Sequence, residues 1–204
     1  MQSHVSELSG AVLYQHLLRL IVPRPIAWVS TASAEGRSNL APFSFFSGVG
    51  VNPPTLLFCP ANRADGLEKD TLRNIRQTRQ FVVNMVTEDL AAVMNSTSAE
   101  LPENESEFDV FGIETAESVV VRVPRVAAAV AHLECELHEV ISLAEGPGAA
   151  NIVIGKILYL RVDDRIVNQS GYADPDLYQS VGRLGGASYC RTRDTFELPR
   201  PRTR

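Results

Sequence analysis

Apolar and polar side chains alternate along several short stretches of this chain, and a period of two residues is typical of a half-buried β-strand. Residues 133–143 show the alternation most clearly, with apolar side chains at the odd positions apart from Glu139. Apolar runs rich in β-branched and aromatic residues predict four further strands. These runs are residues 26–31, 55–59, 81–86 and 151–162.

Two more segments extend the predicted strand pattern. Residues 39–46 continue an extended path that Pro42 interrupts, because proline cannot donate to a strand ladder. Residues 165–168 can add a short strand. Within the run 151–162, Gly155 predicts a bulge or a point where another part of the chain approaches closely. The pattern therefore predicts six or seven strands.

Three short helices are predicted between the strands. Residues 8–20 carry leucines at helical spacing behind Ser9, a residue type that caps helix N-termini. Residues 71–79 follow Asp70 as the predicted cap, and a third helix is predicted over residues 87–94. Because the helices do not alternate regularly with the strands, the order of elements favours a mainly antiparallel β-barrel over a parallel α/β fold.

Length and charge limit the organisation and the partners. The 204 residues fit one domain, which we predict over residues 1–190, followed by a basic tail over 191–204. The tail holds five arginines against two acidic residues, although the whole chain carries a net charge of −5. That overall sign argues against nucleic acid or an anionic membrane as a general partner.

The three cysteines, Cys59, Cys135 and Cys190, are far apart and form no C-x-x-C pair, so neither a disulfide framework nor a zinc site is predicted. Cys59 and Cys135 lie in apolar runs and are predicted core residues. The start of the chain lacks the pattern of a secretory signal, and no apolar run approaches the roughly 20 residues of a membrane span. A reducing, cytoplasmic location is therefore expected.

Common catalytic motifs are absent from the sequence. No G-x-G-x-x-G follows a strand, and there is no P-loop, no H-E-x-x-H and no nucleophile elbow. A protein with a pocket but without such a set either binds a ligand without chemistry or uses a cofactor that carries the chemistry itself.

A basic turn at residues 63–71 leads into the second predicted helix. Arg63 and Lys69 lie in this turn, and the free N–H groups and dipole of a helix N-terminus favour an anion such as phosphate. Considered alone, an ordinary capped helix with surface cations is the simpler interpretation.

The loop at residues 38–46 favours the phosphate interpretation because it supplies what a flat aromatic cofactor needs. It combines short polar side chains with three phenylalanines, and so offers an apolar wall and hydrogen-bond partners for a polar ring edge. The alternative is that the phenylalanines belong to the barrel core. On a regular strand Phe43 and Phe45 face one way, and Phe46 faces the other.

Two charged clusters are interpreted as solvent-facing. Residues 99–109 carry five carboxylates without the spacing of a calcium loop, which predicts a surface loop or lid. The even face of the alternating strand carries His132, Glu134, Glu136 and His138. These residues suggest a metal site, but such side chains usually solvate the outer face of a strand.

Several motifs follow one another along the chain: PRPIAWVST, NLAPFSFF, NPP, KDTLRNI and FVVN, and later SVGRLGGASY and DTFELPRP. In this order they resemble the flavin reductase-like family of FMN-binding split-barrel proteins, over nearly the whole chain. The resemblance implies a mainly β fold, a six-stranded antiparallel Greek-key split barrel with short peripheral helices. It also implies a homodimer with one FMN per subunit near the interface.

The resemblance further implies where the cofactor binds. The first strand end lies against the flavin ring, and the basic turn lies at the phosphate. The segment matching 183–189 lies near the flavin or the interface and can belong to the partner subunit. The implied cofactor-binding residues are Ser30, Thr31, Asn39, Leu40, Ala41, Pro42, Phe43, Ser44, Arg63, Lys69, Asp70, Thr71, Arg183 and Tyr189.

The expected function is that of an FMN-binding oxidoreductase, an NAD(P)H-dependent flavin reductase in which a hydride passes from NADH or NADPH to N5 of FMN. No catalytic side chain and no metal are expected, since FMN carries the chemistry. A flavin-dependent monooxygenase is one expected acceptor of the electrons. One alternative is an FMN-holding electron carrier without NAD(P)H activity. Another is a relative that has lost FMN because side chains such as Phe46 crowd the pocket.

Overall fold

The computed structural model describes residues 2–201, and β-strands form most of its regular structure. The strands are β1 Ala27–Ala32, β2 Ser38–Phe43, β3 Phe46–Val51, β4 Pro54–Phe58, β5 Gln80–Met85, β6 Thr115–Ala116, β7 Arg125–Val126, β8 Ala131–Ser142, β9 Asn151–Val162, β10 Val181–Arg183 and β11 Tyr189–Arg191. The helices are α1 Gly10–Leu20, α2 Asp70–Thr78, α3 Ala91–Ser96, α4 Glu107–Val110 and α5 Pro175–Tyr178, with 3-10 turns at Val5–Glu7 and Asp164–Ile166. Within residues 2–201 no helix is long and apolar enough to cross a membrane.

Seven strands form the main sheet in the order β2-β1-β5-β8-β9-β4-β3, and every neighbouring pair is antiparallel. The predicted mainly antiparallel β fold is confirmed, but the six strands implied by the resemblance are corrected to seven. The reason lies at residues 44–45, where the chain leaves the strand path. One extended run therefore pairs with β1 before this break and with β4 after it.

Two apolar cores lie on opposite faces of β1, as a period of two residues requires. Ala27 and Val29 belong to the first core, inside the main sheet, and Trp28 belongs to the second. The indole of Trp28 is fully buried and donates its Nε1–H to the hydroxyl of Thr97 at 2.9 Å. Because both faces of β1 are covered, this strand reads as an almost continuous apolar run.

Gly155 marks a close approach, as predicted from its place inside a long strand. A Cβ atom at this position would lie 2.3 Å from Cζ of Phe81, whose ring is fully buried in the first core. The β8–β9 pairing has one extra residue in β9, Leu158, and one in β8, His138, so Gly155 itself is not the bulged residue. Gly155 therefore serves close packing against the Phe81 ring.

Two local predictions fail because turns replace the expected elements. Residues 165–168 do not form a strand; Asp163 instead accepts a hydrogen bond from the Arg165 amide at 3.0 Å and caps a 3-10 turn. The helix predicted over residues 87–94 begins only at Ala91.

The tail predicted to start at residue 191 is tied to the body at its beginning. Arg191 closes β11, and both Arg191 and Arg193 pair with Glu88. Two arginines of the predicted tail, Arg202 and Arg204, lie outside the described residues.

The even face of β8 is not solvated along its whole length, so that prediction was wrong for half of the face. His132 and Glu134 are buried, whereas Glu136 and His138 are exposed. The cause is the segment 115–126, which lies over the first half of the strand. Across residues 2–201 no group of three or more His, Cys, Asp or Glu side chains could hold a metal ion.

The buried carboxylate of Glu134 organises this covering segment. Its Oε1 accepts the backbone N–H of Val119 at 2.8 Å. Its Oε2 accepts the N–H groups of Val120 at 2.7 Å and Val121 at 3.2 Å. Three donors from consecutive residues satisfy a charge that would otherwise be costly to bury.

Protonation of His132 is expected to destabilise the fold in acid. Burial lowers the pKa of His132 from 6.5 to about 4, and Nε2 lies 2.8 Å from the Val126 carbonyl, to which the neutral ring donates. The unfolded chain therefore binds a proton at higher pH than the folded chain does. Stability should fall as the pH drops from about 6.5 to about 4, by up to about 3 kcal/mol for this group.

Urea unfolding at several pH values tests this expectation. His132→Gln should flatten the pH dependence between pH 6.5 and 4. His138→Gln, on the exposed half of the same strand face, should keep the wild-type dependence. A His132→Gln protein with the full wild-type slope would show that another group is responsible.

Candidate functional site

A cavity of about 300 Å³ lies between α1, β2, the N-terminus of α2 and the acidic segment before α4. This volume is at the lower end of the range for small-molecule pockets. The cavity is lined by Tyr14, Asn39, Ala41, Pro42, Phe43, Ser44, Phe45, Cys59, Ala61, Lys69, Asp70, Thr71, Thr97, Ser98, Ala99, Glu100, Leu101 and Glu107.

The structure brings most of the implied cofactor-binding residues to this one cavity. Those that line it are Asn39, Ala41, Pro42, Phe43, Ser44, Lys69, Asp70 and Thr71. They come from β2 and its continuation and from the start of α2, two elements that contact each other directly and both pack against β1. The loop and the basic turn, separated along the chain, therefore form one site.

The N-terminus of α2 reaches the cavity without a capping side chain. Lys69, and not the predicted Asp70, is the N-cap residue, and its side chain makes no cap hydrogen bond. Asp70 instead pairs with Arg73 at 2.6 Å. The N–H groups of the first helical turn are thus free of a side-chain cap, which makes this helix end suited to an anion.

A buried polar network positions the first turn of α2. The Asn39 amide donates to the hydroxyl oxygen of Thr71 at 3.0 Å and to that of Thr31 at 3.3 Å. The Asn74 amide also donates to Thr31, at 3.1 Å. Because the Thr71 oxygen accepts from Asn39, the Thr71 hydroxyl hydrogen remains for another acceptor.

Three implied binding residues lie behind the cavity wall instead of in it. Ser30, Thr31 and Leu40 have no exposed surface. Ser30 accepts from Asn84 at 3.2 Å, and the Leu40 amide donates to Glu107 at 2.8 Å. Ser30 and Leu40 are paired on the face away from Asn39. Thr31 is paired with Asn39 on the same face but is covered by the Asn39 and Asn74 side chains. Within one subunit the three residues therefore support the wall and do not form it.

Three other implied residues lie away from the cavity of the single chain. Arg63 pairs with Asp65 at 2.9 Å on the surface. The Arg183 guanidinium lies over the Tyr189 ring, 4.4 Å from its centroid, and the Tyr189 hydroxyl donates to Asn95 at 3.0 Å. A binding role for these residues stays a prediction for an assembly of two subunits.

Several cavity residues were not among the implied binding residues. Phe45 belongs to the predicted aromatic wall, although it was not in the implied binding set. Tyr14, on α1, carried no signal in the sequence, since nothing local relates that helix to β2. Cys135 is buried as predicted, whereas Cys59, also a predicted core residue, is half-buried and lines the cavity.

The acidic segment predicted as a surface loop or lid forms one wall of the cavity. Its carbonyl at Glu103 accepts from Arg37 at 2.7 Å, and the Glu103 carboxylate pairs with Arg73 at 3.1 Å. Glu107 is buried at the end of the wall. Burial raises the pKa of Glu107, and the nearby charge of Asp70 adds to the rise, against the hydrogen bond from Leu40.

At the opposite end of the site, the side chain of Arg24 connects several segments of the chain through hydrogen bonds. Its guanidinium is buried and donates to the carbonyls of Leu18 at 2.6 Å, Ile21 at 2.8 Å and Leu184 at 3.0 Å. It also donates to the Ser44 hydroxyl at 3.3 Å. Among the ion pairs of residues 2–201 none involves Arg24. Burial, with Arg183 nearby, lowers the Arg24 pKa.

An antiparallel barrel with an aromatic wall, amide and hydroxyl donors and a free helix N-terminus defines a cofactor-binding β-protein. Residues 18–181 match the profile of the flavin reductase like domain. The chain belongs to the flavin reductase like family, which confirms the resemblance found in the motifs.

Similar proteins match this chain over nearly their whole lengths. An uncharacterised protein of Aquifex aeolicus is 38% identical over 191 residues, which cover 94% of this chain and 95% of that protein. The structure of nitrilotriacetate monooxygenase component B from Bacillus cereus has a TM-score of 0.92 at 33% identity, covering 97% and 98% of the two chains. That of Pseudomonas fluorescens 2-nitrobenzoate 2-nitroreductase has a TM-score of 0.88 at 32% identity, covering 98% and 96%.

The fold comparison also confirms the split barrel. A protein with a split barrel domain from Shewanella frigidimarina matches with a TM-score of 0.85 at 24% identity, covering 98% of each chain. The architecture is therefore a split barrel whose main sheet has seven strands here.

The residues of the cavity fit a flavin mononucleotide. The apolar wall suits a planar ring, and the uncapped helix end with Lys69 suits a phosphate. Phe46, which could have crowded the pocket, packs against the first core and does not line the cavity. Phe46 therefore does not close the pocket.

Proposed function

We propose that this protein is an FMN-binding, NAD(P)H-dependent flavin reductase. The observation that carries the proposal is one cavity with Phe43 and Phe45 in its wall and the uncapped N-terminus of α2 beside it. When bound, FMN supplies a ring that accepts a hydride from NADH or NADPH. The protein then has to bind and orient the cofactor and leave one ring face accessible.

The charges of the cavity orient the cofactor along one direction. Lys69 and the first turn of α2 attract the phosphate, and the Thr71 hydroxyl is held in place by Asn39. Glu100 lies in the acidic wall, where like charge disfavours a phosphate, whereas Asp70 at the helix end is paired with Arg73. The phosphate therefore goes to α2, and the ring goes to the aromatic wall.

Anaerobic reduction tests the proposed activity. FMN-loaded protein is mixed with NADH or NADPH while the visible flavin absorption is followed. Bleaching by at least one nicotinamide is the expected result. If neither bleaches the flavin while dithionite does, the protein is an FMN-holding electron carrier, the alternative function.

Replacing Lys69 with alanine should weaken FMN binding by about tenfold to a hundredfold, because a charge-assisted contact contributes about 1.5–3 kcal/mol. Riboflavin, which lacks the phosphate, should lose little affinity. Flavin fluorescence titrations measure both constants. Arg76→Ala is the matched control, since Arg76 lies on the same helix, pairs with Glu68 and does not line the cavity. An equal loss of affinity for FMN and riboflavin in Lys69→Ala would contradict a contact between Lys69 and the phosphate.

A homodimer is part of the proposal. On β3 the side chain of Val51 is 91% exposed, and at the same end of the sheet β9 exposes Leu158 and Leu160. Exposed apolar side chains grouped in this way are typical of a subunit interface. Sedimentation equilibrium should give a dimer, and Val51→Lys should shift it toward monomer. A monomeric wild-type protein at micromolar concentration would overturn the assembly.

The proposed acceptor of the electrons is a flavin-dependent monooxygenase in the cytoplasm. Support comes from the similar Bacillus cereus protein, whose name makes it one component of a monooxygenase. The unpaired cysteines at 59, 135 and 190 suit a reducing compartment. Coupled product formation with a purified monooxygenase tests the partner, and cell fractionation tests the location. No product despite free reduced flavin, or a membrane or secreted fraction, would count against these assignments.

A further inference from the structure

Two arginines are paired through their backbones next to the flavin cavity. The N–H of Arg24 donates to the carbonyl of Arg183 at 3.0 Å, and the N–H of Arg183 donates to the carbonyl of Arg24 at 2.8 Å. Side chains of residues paired in this antiparallel way lie on the same face. Burial and, after it, the charge of Arg183 lower the pKa of Arg24. The two guanidinium groups therefore lie near each other.

A third arginine, Arg19 in the last turn of α1, joins this pair. Its side chain packs on Gly185, where a Cβ atom would lie 2.4 Å from Cγ of Arg19. Gly185 follows Arg183 by two residues. Among the ion pairs of residues 2–201, none includes Arg19, Arg24 or Arg183. These three arginines form a basic patch whose charge no acidic side chain neutralises through an ion pair within the described chain.

Two members of the basic patch keep donors for a ligand. Arg24 is buried and directs its guanidinium to three carbonyls and to Ser44, so its role is internal. Arg183 is half-buried and donates to two carbonyls of its own hairpin turn, at 2.6 and 3.4 Å, which uses only part of its N–H groups. Arg19 is exposed and donates through Nη1 to Gln15. An anion can therefore receive hydrogen bonds from Arg19 and Arg183 together.

The basic patch adjoins the aromatic wall of the flavin cavity. Arg24 donates to the Ser44 hydroxyl at 3.3 Å, and its guanidinium carbon lies 5.8 Å from the centroid of the Phe45 ring. Ser44 and Phe45 both line the cavity, as does Tyr14 of α1. The aromatic wall is the proposed place of the flavin ring, whereas the phosphate is assigned to the start of α2. The patch is therefore a second cationic region, at the ring end of the cofactor.

The chemistry of a nicotinamide donor requires an anion site at this end. A hydride passes to the flavin only when the nicotinamide ring stacks on the flavin ring. One ribose connects the nicotinamide to the negatively charged pyrophosphate of the dinucleotide, so the pyrophosphate has to lie beside the flavin ring. Arginine is the side chain that best matches phosphate oxygens, because its planar group presents several N–H donors at once.

We propose that Arg19 and Arg183 bind the pyrophosphate of the nicotinamide dinucleotide at the flavin of the same subunit. This subsite rests on the proposed reductase function, which brings a dinucleotide to the flavin. Arg24 positions the subsite, since it pairs with Arg183 and contacts the aromatic wall. The acidic wall with Glu100 repels the same pyrophosphate, and the two charged regions together orient the dinucleotide.

ADP-ribose tests the subsite without any redox step, because it contains the pyrophosphate but no nicotinamide. It is titrated into the full-length, FMN-loaded protein by isothermal titration calorimetry. Arg183→Gln should weaken its binding by about tenfold and the exposed Arg19→Gln by about threefold. Arg122→Gln, at an exposed arginine of the segment 115–126, is the control and should bind as the wild type does. No binding to the wild-type protein, or unchanged binding in both test variants, would overturn the subsite.

FMN affinity separates this role from a contact with the flavin phosphate. Arg19→Gln and Arg183→Gln should both bind FMN as tightly as the wild type, measured by flavin fluorescence. A loss of FMN affinity in Arg19→Gln, comparable to its loss of ADP-ribose affinity, would overturn the assignment to the dinucleotide. Arg183→Lys keeps the charge and should recover part of the ADP-ribose binding. No recovery would show that the hairpin contacts of Arg183, and not its charge, are needed.

Anaerobic reduction by NADH or NADPH distinguishes the subsite from the function on which it rests. Bleaching by a nicotinamide together with unchanged ADP-ribose affinity in both arginine variants would keep the reductase and overturn the subsite. Weakened ADP-ribose binding in the variants without bleaching of the wild-type flavin would support the subsite and contradict the reductase. If both hold, the KM for the nicotinamide substrate should rise in Arg183→Gln while kcat changes little.

Discussion

Replacing Glu134 with glutamine should destabilise the folded protein by about 3 kcal/mol or more. The carboxylate accepts the backbone N–H groups of Val119, Val120 and Val121 through both of its oxygens. Glutamine keeps one oxygen and turns an NH₂ group toward donors that need an acceptor. Hydrogen bonds to a charged group contribute about 1.5–3 kcal/mol, and a buried donor left unpaired costs about 1–3 kcal/mol.

The control is the same substitution at Glu136, two residues further along β8. Glu136 lies on the same face of β8 but is exposed, so Glu136→Gln should change the free energy of unfolding by less than about 0.5 kcal/mol. Urea unfolding measures both variants. A Glu134→Gln protein as stable as Glu136→Gln would mean that the segment 115–126 does not depend on the carboxylate.

Replacing Arg24 with methionine should have the second large effect, about 3–5 kcal/mol on stability together with weaker FMN binding. Methionine keeps much of the buried volume but leaves the carbonyls of Leu18, Ile21 and Leu184 without their donor. Two of these carbonyls end α1, so amide hydrogen exchange should accelerate in that helix. Ser44 also loses its contact, which loosens a wall of the flavin cavity.

Two further variants test whether stability and FMN binding need the planar set of N–H donors of the Arg24 guanidinium. Arg24→Lys keeps the charge but cannot reach three carbonyls from one plane, so it should restore only a minor part of the loss. Arg19→Met, an exposed arginine on α1, should leave stability and FMN affinity close to wild type. Full rescue by lysine would show that charge alone is needed, and unchanged α1 exchange in Arg24→Met would contradict the proposed link.

The sequence predicted those parts of the candidate site in which a continuous motif forms one wall of the cavity. The loop of β2 and the basic turn both reach the cavity, because consecutive residues stay together in any fold. The prediction was less successful for single side chains. On β2, Leu40 faces away from the cavity that Asn39 lines, whereas Thr31 of β1 shares the face of Asn39 and is buried beneath it. Only the packing of α2 and the acidic wall decides which of these side chains is open.

The N-cap of α2 departs from the usual residue preference, and this departure coincides with the candidate binding site. An aspartate before a helical run usually caps it, which made Asp70 the expected N-cap. In the structure Arg73 takes the Asp70 carboxylate, so the helix starts one residue earlier and its N–H groups are left for a ligand. Exceptions to local preference of this kind are expected at functional sites.

Local sequence by itself determined the β class of this protein, the main strands and the two segments that meet at the flavin cavity. Alternation, proline and glycine positions act over a few neighbouring residues and can therefore be recognised without the fold. Tertiary structure alone decided the burial of His132 and Glu134, the wall made by the acidic segment and the place of Arg24 beneath the site. Each depends on a segment distant in sequence, whose approach no local pattern records.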